Sequence, residues 1–103
     1  MSVSTHVLDA TTGRPAVGVW VTLFAADDTV VALRQTDDDG RVSDLAADLA
    51  AGIYRISFAT EAYFDVPTFY PEVAVTFRVT EPAQHLHVPL LLSPFAYSTY
   101  RGS

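Results

Sequence analysis

The three histidines are the residues of this chain best suited to acid–base chemistry, because an imidazole titrates near neutral pH, with an unperturbed pKa of about 6.5. They are His6, His85 and His87, and the last two form a His-x-His pair. Alternate residues of a strand face the same side of a sheet, so a strand would point both imidazoles the same way. Two histidines with a hydroxyl nearby can act as general base and general acid in a hydrolysis.

Two other interpretations of the histidines stay open. Each histidine alone is commonly a surface or packing residue. Together, His85 and His87 could ligate a metal ion with His6 as the third ligand. The spacing is a weak signal, since two-residue intervals arise by chance and no carboxylate stands obviously beside the pair. We therefore expect no metal site and keep it as an alternative.

Arg41 follows an acidic turn, Asp37 to Gly40. An arginine at the start of a strand is commonly just solvated. Its planar guanidinium could also hold an anionic or imide-like substrate and stabilise an oxyanion as charge develops. The acidic run indicates a turn rather than a calcium loop, because it lacks the glutamate that an EF-hand places six residues after its glycine. The sequence also contains no nucleophile elbow and no phosphate-binding glycine motif.

Composition limits the classes of protein that fit. The chain has 103 residues, which suits one domain over residues 1–103. Its six basic residues are scattered arginines against 12 acidic residues, for a net charge of −6, so we expect no nucleic-acid partner. Cysteine is absent, which excludes disulfides and cysteine catalysis. No leader and no apolar run of about 18 residues is visible, so we expect no membrane partner and a cytoplasmic location.

The elements that must position these side chains are strands. Valine, threonine and isoleucine make up 26 of the 103 residues, and β-branched side chains favour pleated sheets. The fold is therefore predicted as an all-β sandwich. One short helix is expected at Thr60–Phe64, with Thr60 as its cap. The predicted strands are Val3–Asp9, Val17–Phe24, Val30–Thr36, Arg41–Leu45, Ile53–Ala59, Val73–Thr80, His85–Leu92 and Phe95–Arg101.

Strand alternation predicts which side chains converge. The alternate residues Leu86, Val88, Leu90 and Leu92 are all aliphatic and must face the core. His85 and His87 then point outward. In the last strand we expect Phe95 and Tyr97 to point inward. If the first, seventh and last strands share a sheet, its outer face gathers His6, His85, His87, Ser98 and Tyr100. Leu8, Pro89 and Leu91 share that face, and only 17% of the chain is charged, so we expect this surface to be a subunit interface.

Six motifs stand out along the chain, and they are Ser4–Asp9, Gly13–Ala16, Asp39–Arg41, Phe69–Glu72, His85–Pro94 and Tyr97–Ser103. Together they resemble a known family, the 5-hydroxyisourate hydrolases, which are transthyretin-related proteins of purine breakdown. The resemblance covers essentially the whole chain in the expected order. Its most specific part is the Tyr-Arg-Gly-Ser ending, which separates these hydrolases from transthyretin.

The resemblance implies a transthyretin-like sandwich of two four-stranded sheets. It also implies a homotetramer with active sites where dimers meet. The implied reaction opens the six-membered ring of 5-hydroxyisourate, a small purine-derived molecule, to give 2-oxo-4-hydroxy-4-carboxy-5-ureidoimidazoline without metal or other cofactor. Leu86 and Ala96 depart from the family's usual aromatic residue and glycine. Neither is expected to affect the chemistry.

The resemblance also assigns roles to residues. His6, Arg41, His87 and Ser103 match the family's catalytic residues, and Tyr100 joins His6 and Arg41 in binding substrate. His85 is expected to be secondary, either positioning the site or exposed at its rim. The alternative function is a transthyretin-like carrier that binds a small ligand without catalysis.

Overall fold

Nine strands and one short helix form the described part of the chain, residues 2–81 and 84–103 of a computed structural model. In chain order they are β1 (Ser2–Asp9), β2 (Arg14–Pro15), β3 (Trp20–Ala25), β4 (Val30–Gln35), β5 (Arg41–Ala47), β6 (Gly52–Phe58), α1 (Thr60–Tyr63), β7 (Val73–Val79), β8 (Leu86–Ser93) and β9 (Ala96–Thr99).

The strands make two sheets. The first has the order β2-β1-β8-β9, with β5 also paired to β1, and the second has the order β4-β3-β6-β7. The pairing of β1 with β8 is parallel and every other pairing is antiparallel. The predicted all-β sandwich with one short helix is therefore confirmed.

The core lies between the two sheets and is filled by alternate residues of each strand. The first sheet contributes Val3, Val7 and Leu90, and the second contributes Leu23 and Ile56, all with no exposed surface. Burying such aliphatic side chains is the main favourable contribution to folding, at about 1.5–3 kcal/mol each. The same alternation leaves the even-numbered residues of β1 and the odd-numbered residues of β8 on the outer face of the first sheet.

Several sequence-based details need correction. The first sheet has five strands rather than four, because the two-residue strand β2 pairs with the end of β1. β3 begins at Trp20 rather than Val17, since Gly18 takes a left-handed conformation with φ +81°. The position before α1 is Ala59, and Thr60 lies inside the helix with its hydroxyl donating to the Tyr70 carbonyl at 2.5 Å.

Phe95 and Tyr97 were expected to point inward, and the structure shows them 70% and 41% exposed. Tyr97 pairs with the buried Leu92, so it lies on the core side of its sheet as predicted. β9 is an edge strand, however, and the opposite sheet does not cover it. Tyr97 instead packs edge-on against Tyr70, with ring centroids 5.1 Å apart.

Candidate active site

The pairing of β1 with β8 and with β5 assembles the histidine face, which is the outer face of the first sheet that carries His6 and His87. On one side, the parallel register places Ser4 beside His87. On the other side, Arg41 at the start of β5 lies opposite His6. Residues paired across strands point to the same side of a sheet. The structure therefore brings His6, His87 and Arg41 together on the outer face of the first sheet.

His6 is held by the turn that precedes β5. Its Nε2 donates a hydrogen bond to the Asp39 carbonyl at 2.9 Å. Because a carbonyl can only accept, this bond places a proton on Nε2 and leaves Nδ1 as the acceptor of the neutral ring. The half-buried imidazole is thus fixed in both orientation and tautomer.

The turn itself is fixed by Asp37 and Gly40. The Asp37 carboxylate accepts the backbone N–H groups of Asp39 and Arg41, both at 2.9 Å. Gly40 has φ +73°, and a Cβ there would collide with the Val7 carbonyl oxygen. Only glycine fits this left-handed position. The Asp-Gly-Arg sequence therefore positions the Arg41 backbone and the hydrogen bond to His6 together.

His87 is half-buried, and its Nδ1 lies 2.7 Å from the Ser4 hydroxyl. Burial lowers the pKa of this imidazole below 6.5, and the charges of Arg41, His6 and His85 lower it further. His87 is therefore neutral at physiological pH and able to accept a proton. The bond at Nδ1 leaves its Nε2 to meet a substrate.

His85 is exposed, and it is tied to the same hydroxyl as His87. Its Nε2 lies 3.3 Å from the Ser4 hydroxyl, and its Nδ1 lies 2.6 Å from the Ser2 hydroxyl. The structure thus places His85 at the rim of the site, with a hydrogen-bonded connection to His87.

The carboxyl-terminal segment reaches His87 through Gly102. The Gly102 N–H donates to the His87 carbonyl at 2.9 Å. Ser103 follows directly and is exposed. Tyr100, 61% exposed, shares with His87 the lining of a cavity of about 430 Å³ at the edge of the sandwich next to β7. His6 and Arg41 do not line this cavity. Arg41 is exposed and His6 is half-buried, so the face that they occupy is open to solvent in a single chain.

Sequence reasoning missed two residues that hold His87. Ser4 belonged to a recognised motif without a stated role, although its pairing with His87 gives it access to the imidazole. Gly102 belonged to a recognised motif without a stated role. A Cβ on Gly102 would lie 2.5 Å from His87 Cδ2, so the glycine is needed for the close approach.

The alternative metal site receives no support from the geometry. Among residues 2–81 and 84–103, no group of three or more histidine, aspartate or glutamate side chains is arranged to hold a metal ion. The same described residues include no helix that is long and apolar enough to cross a membrane.

Together the side chains on this face offer a neutral imidazole base, a second imidazole in a fixed tautomer and a permanent cation. This combination can activate water, bind a planar polar substrate and stabilise an oxyanion. It fits hydrolysis of an acyl–nitrogen bond better than ligand storage, because a carrier needs no proton-transfer groups.

Comparison with known proteins places the chain in a family. A 5-hydroxyisourate hydrolase from Salmonella dublin is 46% identical over 108 residues, covering 97% of this chain and 79% of that protein. The structure of Klebsiella pneumoniae 5-hydroxyisourate hydrolase superposes with a TM-score of 0.91 at 36% identity, covering 99% of this chain and 93% of that one.

Sea bream transthyretin in complex with thyroxine also superposes with a TM-score of 0.91, at 32% identity, covering 99% of this chain and 95% of that one. The backbone therefore does not separate a 5-hydroxyisourate hydrolase from a transthyretin that binds thyroxine. The model of the HIUase/Transthyretin family matches residues 3–102. The chain belongs to the HIUase/Transthyretin family.

Proposed function

We propose that residues 1–103 act as one domain that hydrolyses 5-hydroxyisourate to 2-oxo-4-hydroxy-4-carboxy-5-ureidoimidazoline in urate degradation. The observation that carries the proposal is the convergence of His6, His87 and Arg41 on one sheet face. The relatives named as 5-hydroxyisourate hydrolases support the choice of substrate.

Opening the ring requires an activated water, stabilisation of the tetrahedral oxyanion and a proton for the departing nitrogen. His87 is the better base, because its lowered pKa keeps it neutral and its Nδ1 bond leaves Nε2 to meet water. His6 presents Nδ1 as an acceptor, since its Nε2 proton is held by the Asp39 carbonyl. We assign His6 to orienting the substrate by accepting a hydrogen bond at Nδ1.

Arg41 remains protonated throughout the reaction, so it cannot be the base. We assign it to clamping the substrate and stabilising the oxyanion, from its position opposite His6. Tyr100 would hydrogen-bond the substrate. Ser103, which Gly102 brings near His87, is assigned to proton transfer with a histidine rather than to nucleophilic attack.

We further propose that the site is completed in a homotetramer, at the interface between dimers. The support is that the histidine face is open in a single chain and carries the half-buried Leu8 and Leu91 beside the polar groups. A facing copy would exclude water from the substrate and strengthen the electrostatic interactions. Sedimentation equilibrium should give about four times 11.2 kDa. A stable monomer at micromolar concentration would contradict the interface site.

One assay separates the candidate activities. Urate oxidase generates 5-hydroxyisourate, and its ultraviolet decay is followed with and without the protein and with and without EDTA. Acceleration that is insensitive to EDTA supports the hydrolase. Sensitivity to EDTA would indicate a metal enzyme, and tight binding without acceleration would indicate a carrier. The cytoplasmic location stays a prediction, which cell fractionation tests.

A further inference from the structure

We propose that Ser4 and His85 form a proton relay behind His87, which passes the proton taken from water to an exposed imidazole during catalysis. The proposal rests on the proposed function, because it gives His87 the role of base. It makes Ser4 and His85 positioning and proton-transfer residues that act through His87 rather than on the substrate.

The geometry is a continuous row of hydrogen bonds. Ser2 Oγ lies 2.6 Å from His85 Nδ1, His85 Nε2 lies 3.3 Å from Ser4 Oγ, and Ser4 Oγ lies 2.7 Å from His87 Nδ1. Each imidazole therefore uses a different ring nitrogen toward Ser4. Ser4 is only 7% exposed, so its hydroxyl depends on these two rings for its hydrogen bonds.

A hydroxyl can donate one hydrogen bond and accept another, so the hydrogen bonds that link the two rings through Ser4 can run in either direction. In one direction His87 Nδ1–H donates to Ser4, Ser4 donates to His85, and His87 Nε2 is a free base. In the other, His85 Nε2–H donates to Ser4, Ser4 donates to His87 Nδ1, and His87 Nε2 carries a proton. The first arrangement is needed when water attacks, because His87 Nε2 must then accept a proton. The second is needed when the leaving group departs, because His87 Nε2 must then donate one.

The proposed step interconverts them. As water attacks the substrate carbonyl carbon, its proton goes to His87 Nε2. The proton on His87 Nδ1 moves to Ser4 Oγ, and the Ser4 proton moves to His85 Nε2, so the positive charge ends on His85. When the ring C–N bond breaks, the departing nitrogen takes the Nε2 proton of His87. The relay then runs in reverse and returns all groups to their starting states.

The charges around the two rings favour moving the cation outward. His87 is half-buried, and it lies on the same face as His6 from β1 and Arg41 from β5. In the carboxyl-terminal segment, Tyr100 and Arg101 line the same cavity as His87. A cation on His87 would be poorly hydrated and repelled by the neighbouring guanidinium. His85 is exposed, so water stabilises a cation there.

The test uses Ser4→Ala, His85→Ala and the double variant, with Ser57→Ala as control. Ser57 lies on the second sheet, where its hydroxyl donates to the Glu72 carboxylate. General acid–base groups contribute about 10²–10⁴-fold, so loss of a partner that only assists one should lower kcat by about 10-fold. Because Ser4 and His85 act in series, the double variant should lose no more than either single variant. The control should keep the wild-type kcat.

Two further readouts separate a relay from a structural role. Imidazole added to the buffer should restore turnover in His85→Ala, whose missing ring was exposed, and should not restore it in Ser4→Ala. Wild-type kcat in His85→Ala, additive losses in the double variant, or no rescue by imidazole would each overturn the relay. If Ser4→Ala does not fold, the kcat of His85→Ala and its imidazole rescue still decide the proposal.

Failure of the relay can be told apart from failure of the proposed function. If the wild-type protein does not accelerate 5-hydroxyisourate decay, the proposed function is wrong. The hydrogen-bonded row is then tested on the resting protein by ¹⁵N NMR of the histidine rings. Ser4→Ala should shift the His87 Nδ1 resonance, because it removes the hydroxyl that this nitrogen contacts. An unchanged Nδ1 resonance would show that the row does not exist in solution.

Discussion

Gly102→Ala should damage catalysis far more than folding, because the added methyl group meets the side chain of His87. The new Cβ would lie 2.5 Å from His87 Cδ2, 3.2 Å from Cγ and 3.3 Å from Cβ. Carbon atoms in contact prefer about 3.5–4.0 Å. The His87 ring or the terminal segment must therefore move by about 1 Å.

A displacement of this size matters most for proton transfer. Misplacing a reacting group by about 1 Å can cost about 10²-fold in rate, so we expect kcat to fall by that factor. If the terminal segment moves instead, the Gly102 N–H bond to the His87 carbonyl is lost. That loss costs about 0.5–1.5 kcal/mol of stability. Ser103, which follows Gly102 directly, would move with it.

Gly13→Ala is the matched control. Gly13 has φ +72° with no atom within 4 Å of the added Cβ, so the methyl group causes backbone strain without a collision. The strain should cost about 1–2 kcal/mol. Both variants should thus melt at lower temperature at the same protein concentration, while only Gly102→Ala should lose turnover of 5-hydroxyisourate. Full activity in Gly102→Ala would refute the argument that this glycine positions His87.

Three other predictions concern the charge at the site, the last residue and a buried carboxylate. Arg41→Met should raise the pKa of His87, because the charge of Arg41 lowers that pKa. The acid limb of the pH profile of kcat/KM should then move to higher pH, and an unmoved limb would contradict this. Deleting Ser103 should depress turnover far more than thermal stability, and a fully active deletion variant would remove Ser103 from the mechanism. Asp9→Asn should destabilise the fold by about 1–3 kcal/mol, because the buried carboxylate accepts hydrogen bonds from Thr11 and Tyr63. Thermal unfolding measures this, and an unchanged melting temperature would contradict it.

Strand alternation was sufficient to predict the face of the site, because side-chain direction in a strand depends only on residue parity. The alternate aliphatic residues of β8 had to face the core, and this required His87 to point outward once the strand was recognised. These residues are Leu86, Val88, Leu90 and Leu92. The pairing of β1 with β8 is parallel between distant parts of the chain. No local pattern specifies such a pairing, so its register could not be read from the sequence. Only the resemblance to a family indicated that β1 and β8 lie in one sheet.

The contacts that fix His87 were beyond sequence reasoning for a different reason. The role of Ser4 depends on a register in which it pairs with His87, while the role of Gly102 depends on how closely the terminal segment approaches the ring. Both are properties of distances between segments. The exposure of Tyr97 was mispredicted for the same reason. Residue parity placed Tyr97 on the core side of its strand but could not show that the opposite sheet leaves it uncovered.

The same backbone superposes equally well on a 5-hydroxyisourate hydrolase and on a transthyretin in complex with thyroxine, so the difference must lie in side chains on an unchanged sheet. In this chain the contacts that fix the two imidazoles are local and few. The Asp39 carbonyl fixes the tautomer of His6, the Ser4 hydroxyl engages His87, and Gly102 lets the terminal segment reach the ring. None of these contacts is required by the sandwich core, which uses the opposite face of β1 and β8. A face that is free of folding constraints can gain or lose proton-transfer groups without changing the fold, and this is why function must be argued from the site rather than from the scaffold.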